Sequence, residues 1–229
     1  MIHNKLYKRN KLLIIMYKEI DYLKKGYSER KDIIRKRLEE YKLVFNEDEK
    51  RVFSELCFCL LTPQSKAKIC DKAIQNLVKT GILFTGSENE VKDYLIGVRF
   101  NNNKSRYIIE ARNMFTSNGD IRLKDKIKSF DNVLKLREWL FTNVNGMGLK
   151  KAGHFMRNIG IYDNITILDR HILKNLHKHG VIEEIPNPLT KKHYLEIEKK
   201  MLDFSKEINI SPEEMDLLFW SEETGEVFK

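Results

Sequence analysis

The stretch Asn145-Gly146-Met147-Gly148-Leu149-Lys150-Lys151-Ala152 decides how this chain reads. Upstream of it, Val133, Leu134, Leu136, Trp139, Leu140 and Phe141 recur at helical spacing, which predicts a helix over 131–142 with Asp131 as its N-cap. Downstream, Ala152, Phe155, Met156 and Ile159 form the apolar stripe of a second helix over 149–159. Two helices joined by a Gly-x-Gly turn make a helix-hairpin-helix. Gly146 and Gly148 permit positive φ and a close approach of backbone to a surface. The N–H groups opening the second helix then face outward, where the helix dipole favours an anion. A DNA phosphate fits that grip, which holds backbone without reading sequence. An ordinary helix–helix turn would carry the same two glycines, so the residues that follow matter.

Lys150 falls in the first turn of the second helix, where a cation opposes the dipole. A free lysine has a pKa of ~10.4 and is almost wholly protonated at neutral pH. A nucleophilic lysine needs desolvation, a cationic neighbour or a helix N-terminus to lose its proton more often. Lys151 lies about 100° around the helix and reads either as that cationic neighbour or as a phosphate contact. Each lysine alone also reads as a surface charge. Asp169 heads the segment Asp169-Arg170-His171-Ile172-Leu173 and is the expected N-cap of a helix over 169–178. It follows the apolar run Ile165-Thr166-Ile167-Leu168. A carboxylate held ionised there suits the stabilisation of a developing positive centre.

The totals agree with a polyanionic partner. The net charge is +9, and residues 180–229 hold 6 Lys/Arg against 12 Asp/Glu, so residues 1–179 carry the whole positive excess, +15. The three cysteines, Cys57, Cys59 and Cys70, lack CxxC spacing and cannot ligate a four-cysteine iron–sulfur cluster; Cys57 and Cys59 read as core. No metal site is expected. The longest apolar runs fall well short of the ~20 residues of a membrane span, so no membrane association is expected. Met16 is a second candidate start, which would make residues 1–15 an extension.

With 4 prolines and 11 glycines the chain favours long helices, and its patterns read as all-α. Residues 17–45 predict one or two charged helices, 48–61 a strongly apolar one, and 66–79 and 88–96 two more. Asn101-Asn102-Asn103 reads as a turn before a helix over 104–116. Helices over about 190–206 and 211–221 close the chain, the last announced by Ser211-Pro212-Glu213-Glu214.

Gly146-x-Gly148-x-Lys150-x-Ala152 followed by Asp169-Arg170-His171 resembles the helix-hairpin-helix–Gly/Pro–Asp superfamily of DNA glycosylases. More narrowly, Lys150 to Gly160, Glu55 to Thr62 and Asp216-Leu217-Leu218-Phe219-Trp220 resemble the type-2 8-oxoguanine DNA glycosylase/AP lyases of archaea and some bacteria. The resemblance runs from about residue 50 to the end. It implies two helical subdomains flanking an active-site cleft: 16–61 with 181–229, and 62–180 carrying the helix-hairpin-helix of about 131–159. It implies Lys150 as the Schiff-base nucleophile and Asp169 as the group assisting base departure. Gly146 and Gly148 would grip the lesion strand, with a monovalent cation on the hairpin carbonyls. Gln64 would fill the gap left by the flipped nucleotide, and Lys151 and His171 would touch DNA. Phe100, Asp216, Trp220 and Lys229 would line the base pocket. Thr62-Pro63-Gln64 stands where the family has Thr-Ala-Asn. The implied protein is a monomeric prokaryotic enzyme of the cytoplasm and nucleoid. It would excise 8-oxoguanine from double-stranded DNA and cut the strand by β-elimination, without an iron–sulfur cluster or other cofactor. The alternatives are a glycosylase of this fold for another damaged base and a non-catalytic DNA-binding module.

Overall fold

The apolar helix expected over 48–61 is the hub of its half of the chain. In the computed structural model, which describes residues 17–227, it runs Glu49–Leu61, and every residue from Val52 to Leu61 is buried. A helix apolar on all faces must be covered on all faces. Asp48 caps it, accepting the Arg51 N–H at 2.7 Å.

In chain order the helices are α1 (Ile20–Val44), α2 (Glu49–Leu61), α3 (Ala67–Lys79), α4 (Ile82–Thr85), α5 (Glu88–Asp93) and α6 (Asn101–Phe115), then α7 (Leu123–Lys128), α8 (Val133–Asn143), α9 (Leu149–Asn158), α10 (Arg170–Lys178), α11 (Lys191–Ile208) and α12 (Pro212–Thr224). Between α6 and α7, strands β1 (Thr116–Ser117) and β2 (Asp120–Ile121) pair antiparallel. These are the strands among the described residues, which are otherwise mostly helical, as the patterns predict. None of the described helices is long and apolar enough to cross a membrane. Residues 1–15 and Lys229 lie outside the described residues.

The chain divides into two units. Among the described residues, one holds 17–37 together with 166–227; the other holds Leu38–Ile165. This division places residues 38–61 with the hairpin helices and 166–180 with the C-terminal segment, where the sequence expectation drew boundaries at 61/62 and 180/181.

In the Leu38–Ile165 unit, α2 packs against α3, α6, α7 and α9. Cys57 and Cys59 are buried, as expected of core residues, and Cys70 is buried as well. Fully burying side chains such as Phe53 and Phe58 stabilises by roughly 1.5–3 kcal/mol each. Gly160 ends the α9 segment at φ +77°, and a Cβ there would sit 2.6 Å from the Lys42 Cα. Only glycine permits both that backbone and that approach.

In the other unit, α10 and α11 both pack against α12. Ser211 and Glu214 form the expected capping box of α12, and Glu214 also takes the Arg35 guanidinium at 2.7 Å. His179 is buried with its ring stacked on Phe219 and its Nδ1 2.9 Å from the Lys18 carbonyl.

Two local expectations are corrected. Asp131 does not cap α8; Asn132 does, its Oδ1 accepting the N–H groups of Leu134 and Lys135, while Asp131 pairs with the Lys135 ammonium one turn on. Asn101-Asn102-Asn103 is not a turn but the first turn of α6. The reversal is made one residue earlier by Phe100 at φ +58°, whose carbonyl accepts the Lys104 N–H at 3.0 Å.

Candidate active site

The hairpin between α8 and α9 spans Val144 to Gly148. The Met147 N–H closes it on the Val144 carbonyl at 3.0 Å, and the buried Met147 side chain anchors it. The two glycines do different work. Gly146 is at φ +78°, and a Cβ on it would lie 2.5 Å from Cδ2 of Tyr107. Gly148 is not at positive φ, contrary to expectation. It is the N-cap of α9 in extended conformation, with nothing within 4 Å of an added Cβ. No side chain caps α9, so the N–H groups of its first turn lack the side-chain acceptor that Asp48 supplies to α2. Gly146 thus shapes the turn, and Gly148 keeps the space before those N–H groups clear for an anion.

Lys150 is in the first turn of α9 and half-buried. Lys151 turns its ammonium back onto the Gly146 carbonyl, inside the hairpin. Burial pushes the Lys151 amine down to about 8; the Lys104 and Lys150 charges push the same way, against the opposing Cys59 thiol. A hairpin-bound monovalent cation would have to compete with the Lys151 ammonium for the Gly146 carbonyl.

The helix carrying Lys150 is fixed at its far end. Asn158 donates to the buried Glu55 carboxylate at 3.0 Å and accepts from the Arg157 guanidinium at 3.0 Å. Arg51 donates to the other Glu55 oxygen at 2.6 Å. His154 meets the Phe58 ring edge-on at 5.8 Å.

Gln64 and Phe100 belong to the same unit. Both are exposed and both adopt left-handed backbone, at φ +54° and +58°. Their segments are tied together, because the Arg99 N–H donates to the Ser65 hydroxyl at 3.0 Å. The Arg99 guanidinium lies over the Phe100 ring at 5.7 Å.

The remaining candidates lie in the other unit. Asp169 caps α10 as expected: its Oδ1 accepts the N–H groups of His171 at 2.8 Å and Ile172 at 2.9 Å. Those bonds stabilise the charged carboxylate. The segment delivering Asp169 is held by two α11 residues with no signal in the sequence. Glu198 accepts the Thr166 N–H at 2.9 Å and its hydroxyl at 3.2 Å. The Tyr194 hydroxyl donates to the Thr166 carbonyl at 2.8 Å and accepts the Leu168 N–H at 3.2 Å. His171 faces the Glu223 carboxylate at 3.7 Å. Asp216 is buried and Trp220 half-buried, one turn apart on α12. Among the described residues, no cluster of His, Cys, Asp and Glu could hold a metal ion.

Residues 34–210 match the model of a family described as 8-oxoguanine DNA glycosylase. The chain belongs to the 8-oxoguanine DNA glycosylase family. The 8-oxoguanine DNA glycosylase/AP lyase of Fusobacterium nucleatum is 45% identical over 90% of this chain and 96% of its own length. The same-named protein of Methanocaldococcus jannaschii is 39% identical, covering 94% of this chain and 100% of its own. The crystal structure of the M. jannaschii enzyme with a 15mer DNA containing 8-oxoguanine superposes with a TM-score of 0.83 at 36% identity, covering 92% of this chain and 99% of that one. The Thermotoga maritima 8-oxoguanine DNA glycosylase gives 0.81 at 31%, covering 92% and 98%. Family membership therefore spans both units and both motif halves, Lys150 with the hairpin and Asp169 with its cap.

Proposed function

We propose that the protein excises 8-oxoguanine from duplex DNA and cleaves the resulting site as an AP lyase. The observation that carries the reading is the uncapped N-terminus of α9 behind Gly148, with Lys150 in its first turn, in a chain matching that family along most of its length. Phosphates dock at the hairpin and supply salt-dependent, sequence-indifferent affinity. A monovalent cation on the remaining hairpin carbonyls would reinforce that grip. The damaged purine leaves the stack at a cost of a few kcal/mol. Phe100, Asp216, Trp220 and Lys229 then contact it, and Gln64 fills the gap. Lys151 and His171 touch the strand.

The neutral Lys150 amine forms a bond to C1′ as the C1′–N9 bond breaks, and the base departs with the electron pair and gains a proton. The Asp169 carboxylate offsets the positive charge that develops on the sugar. The ring opens to an imine, which acidifies the C2′ proton. Loss of that proton expels the 3′ phosphate oxygen from C3′ and cuts the strand 3′ to the lesion. No redox step occurs, so the chemistry calls for no redox cofactor or catalytic metal. The protein acts as a monomer in a prokaryotic cytoplasm, on the nucleoid.

The test is Asp169→Asn, because asparagine keeps an N-cap acceptor while removing the charge. Base release from 8-oxoguanine duplexes should fall by about 100-fold or more, with DNA affinity retained. Near-normal release would leave Asp169 as a cap alone. A panel of duplexes with oxidised pyrimidines would show whether 8-oxoguanine is the preferred lesion.

A further inference from the structure

Lys104 is a lysine in α6 with only 4% of its surface exposed. Its ammonium donates to the Leu61 carbonyl at 2.6 Å, the Pro63 carbonyl at 2.8 Å and the Ser65 hydroxyl at 3.0 Å. An ammonium has three N–H donors, and each finds an acceptor here. Leu61 is the last residue of α2, where unpaired carbonyls and the negative end of the dipole favour a cation. Buried charges persist when they are paired in this way. Ser65 also accepts the Arg99 N–H, and its own N–H closes the turn on the Thr62 carbonyl at 3.0 Å. Cys70 adds a thiol bond to the Leu61 carbonyl at 3.3 Å.

These bonds fall on residues 61, 63 and 65, on both sides of Gln64 and not on Gln64 itself. Gln64 is left exposed at φ +54°, a backbone that a non-glycine residue keeps only when its surroundings impose it. We propose that Lys104 is a positioning residue for lesion extrusion. It locks the Thr62–Ser65 turn so that Gln64 stands ready to enter the duplex as the damaged nucleotide leaves. This rests on the reading of Gln64 as the gap-filling residue. A preformed wedge inserts without first ordering a loop, so the benefit falls on extrusion rather than on binding.

The experiment follows extrusion with 2-aminopurine fluorescence beside 8-oxoguanine in a duplex. Affinity for a duplex carrying a tetrahydrofuran abasic analogue, which has no base to extrude, is measured in parallel. Lys104→Met should slow extrusion roughly tenfold, as loss of a positioning contact does, while tetrahydrofuran affinity stays within about twofold. Ser65→Ala keeps the buried charge and removes one anchor, so it should slow extrusion in the same direction even where Lys104→Met does not fold. Gln64→Ala should be as slow as the slowest of these, and adding Ser65→Ala or Lys104→Met to it should cost nothing more. Normal extrusion in Gln64→Ala would remove the wedge reading itself. Slow Gln64→Ala with normal Lys104→Met and Ser65→Ala would keep the wedge and overturn the role of Lys104. Additive losses in the double variants would also overturn it, because Lys104 would then act other than through Gln64.

Discussion

The Glu55 carboxylate accepts a hydrogen bond from Nδ2 of Asn158 at 3.0 Å, joining the buried hub helix α2 to the last residue of α9. Glu55 has 1% of its surface exposed, and its other oxygen takes Arg51 at 2.6 Å. Lys150 stands in the first turn of the helix that this bond ends. Asn158→Ala removes a hydrogen bond to a buried carboxylate, which costs about 1.5–3 kcal/mol. Urea unfolding should show a lowered midpoint with unchanged slope. An unchanged midpoint would mean that water replaces the amide without loss.

The hairpin glycines should separate cleanly. Gly146→Ala combines φ +78° with a Cβ 2.5 Å from Tyr107, so it should destabilise the fold by more than the ~1 kcal/mol of an ordinary left-handed alanine. Gly148→Ala meets nothing in the protein. Its thermal stability should change little, while affinity for any duplex, damaged or not, should fall. Equal DNA affinity in Gly148→Ala and wild type would remove the phosphate from that end of α9.

The Lys151 amine, at about 8 in the folded protein against an ordinary 10.5, links folding to alkaline pH. Between those two values the unfolded chain binds more protons than the folded one, so stability rises with pH across that window. Below about 8 both states are protonated and the slope vanishes. Lys151→Met should flatten the rise, as read from denaturation midpoints at pH 7.5 to 10.5. A slope identical to wild type would show that Lys151 does not titrate there.

His179 gives a second linkage at the acid side. Burial pushes its imidazole below the ordinary 6.5; the Lys18 carbonyl opposes this, and the Lys178 charge adds to it against Glu19. The unfolded chain gains this proton near 6.5 and the folded one only at lower pH. Stability from His179 is therefore complete above 6.5 and declines as pH falls below it. One such group contributes at most about 1.4 kcal/mol per pH unit. His179→Gln should lose that slope between pH 6.5 and 5. Retention of the full slope would assign it to other groups.

How much of this was legible beforehand follows from the range of each interaction. Caps written within four residues, such as Ser211 with Glu214 and Asp169 with α10, are legible in the sequence. The hairpin and the apolar α2 announced themselves through spacing. Phe100 misled, because an asparagine run is a common turn signal and an aromatic residue in left-handed backbone is a rare one. The supports of the site were illegible. Lys104 reaches back to Leu61, and Tyr194 and Glu198 reach back to Thr166 and Leu168. Such pairings arise from tertiary packing and leave no periodicity. The register selects Lys150 as nucleophile; burial lowers the amine of its neighbour Lys151 to about 8, and one experiment separates the two.

That experiment is borohydride trapping with an 8-oxoguanine duplex, which reduces the lysine imine to a stable cross-link. Wild type and Lys151→Gln should give the covalent protein–DNA complex, and Lys150→Gln should give none. A complex formed by Lys150→Gln at the wild-type level would contradict the assignment of Lys150. Its loss in Lys151→Gln alone would move the nucleophile one residue along α9.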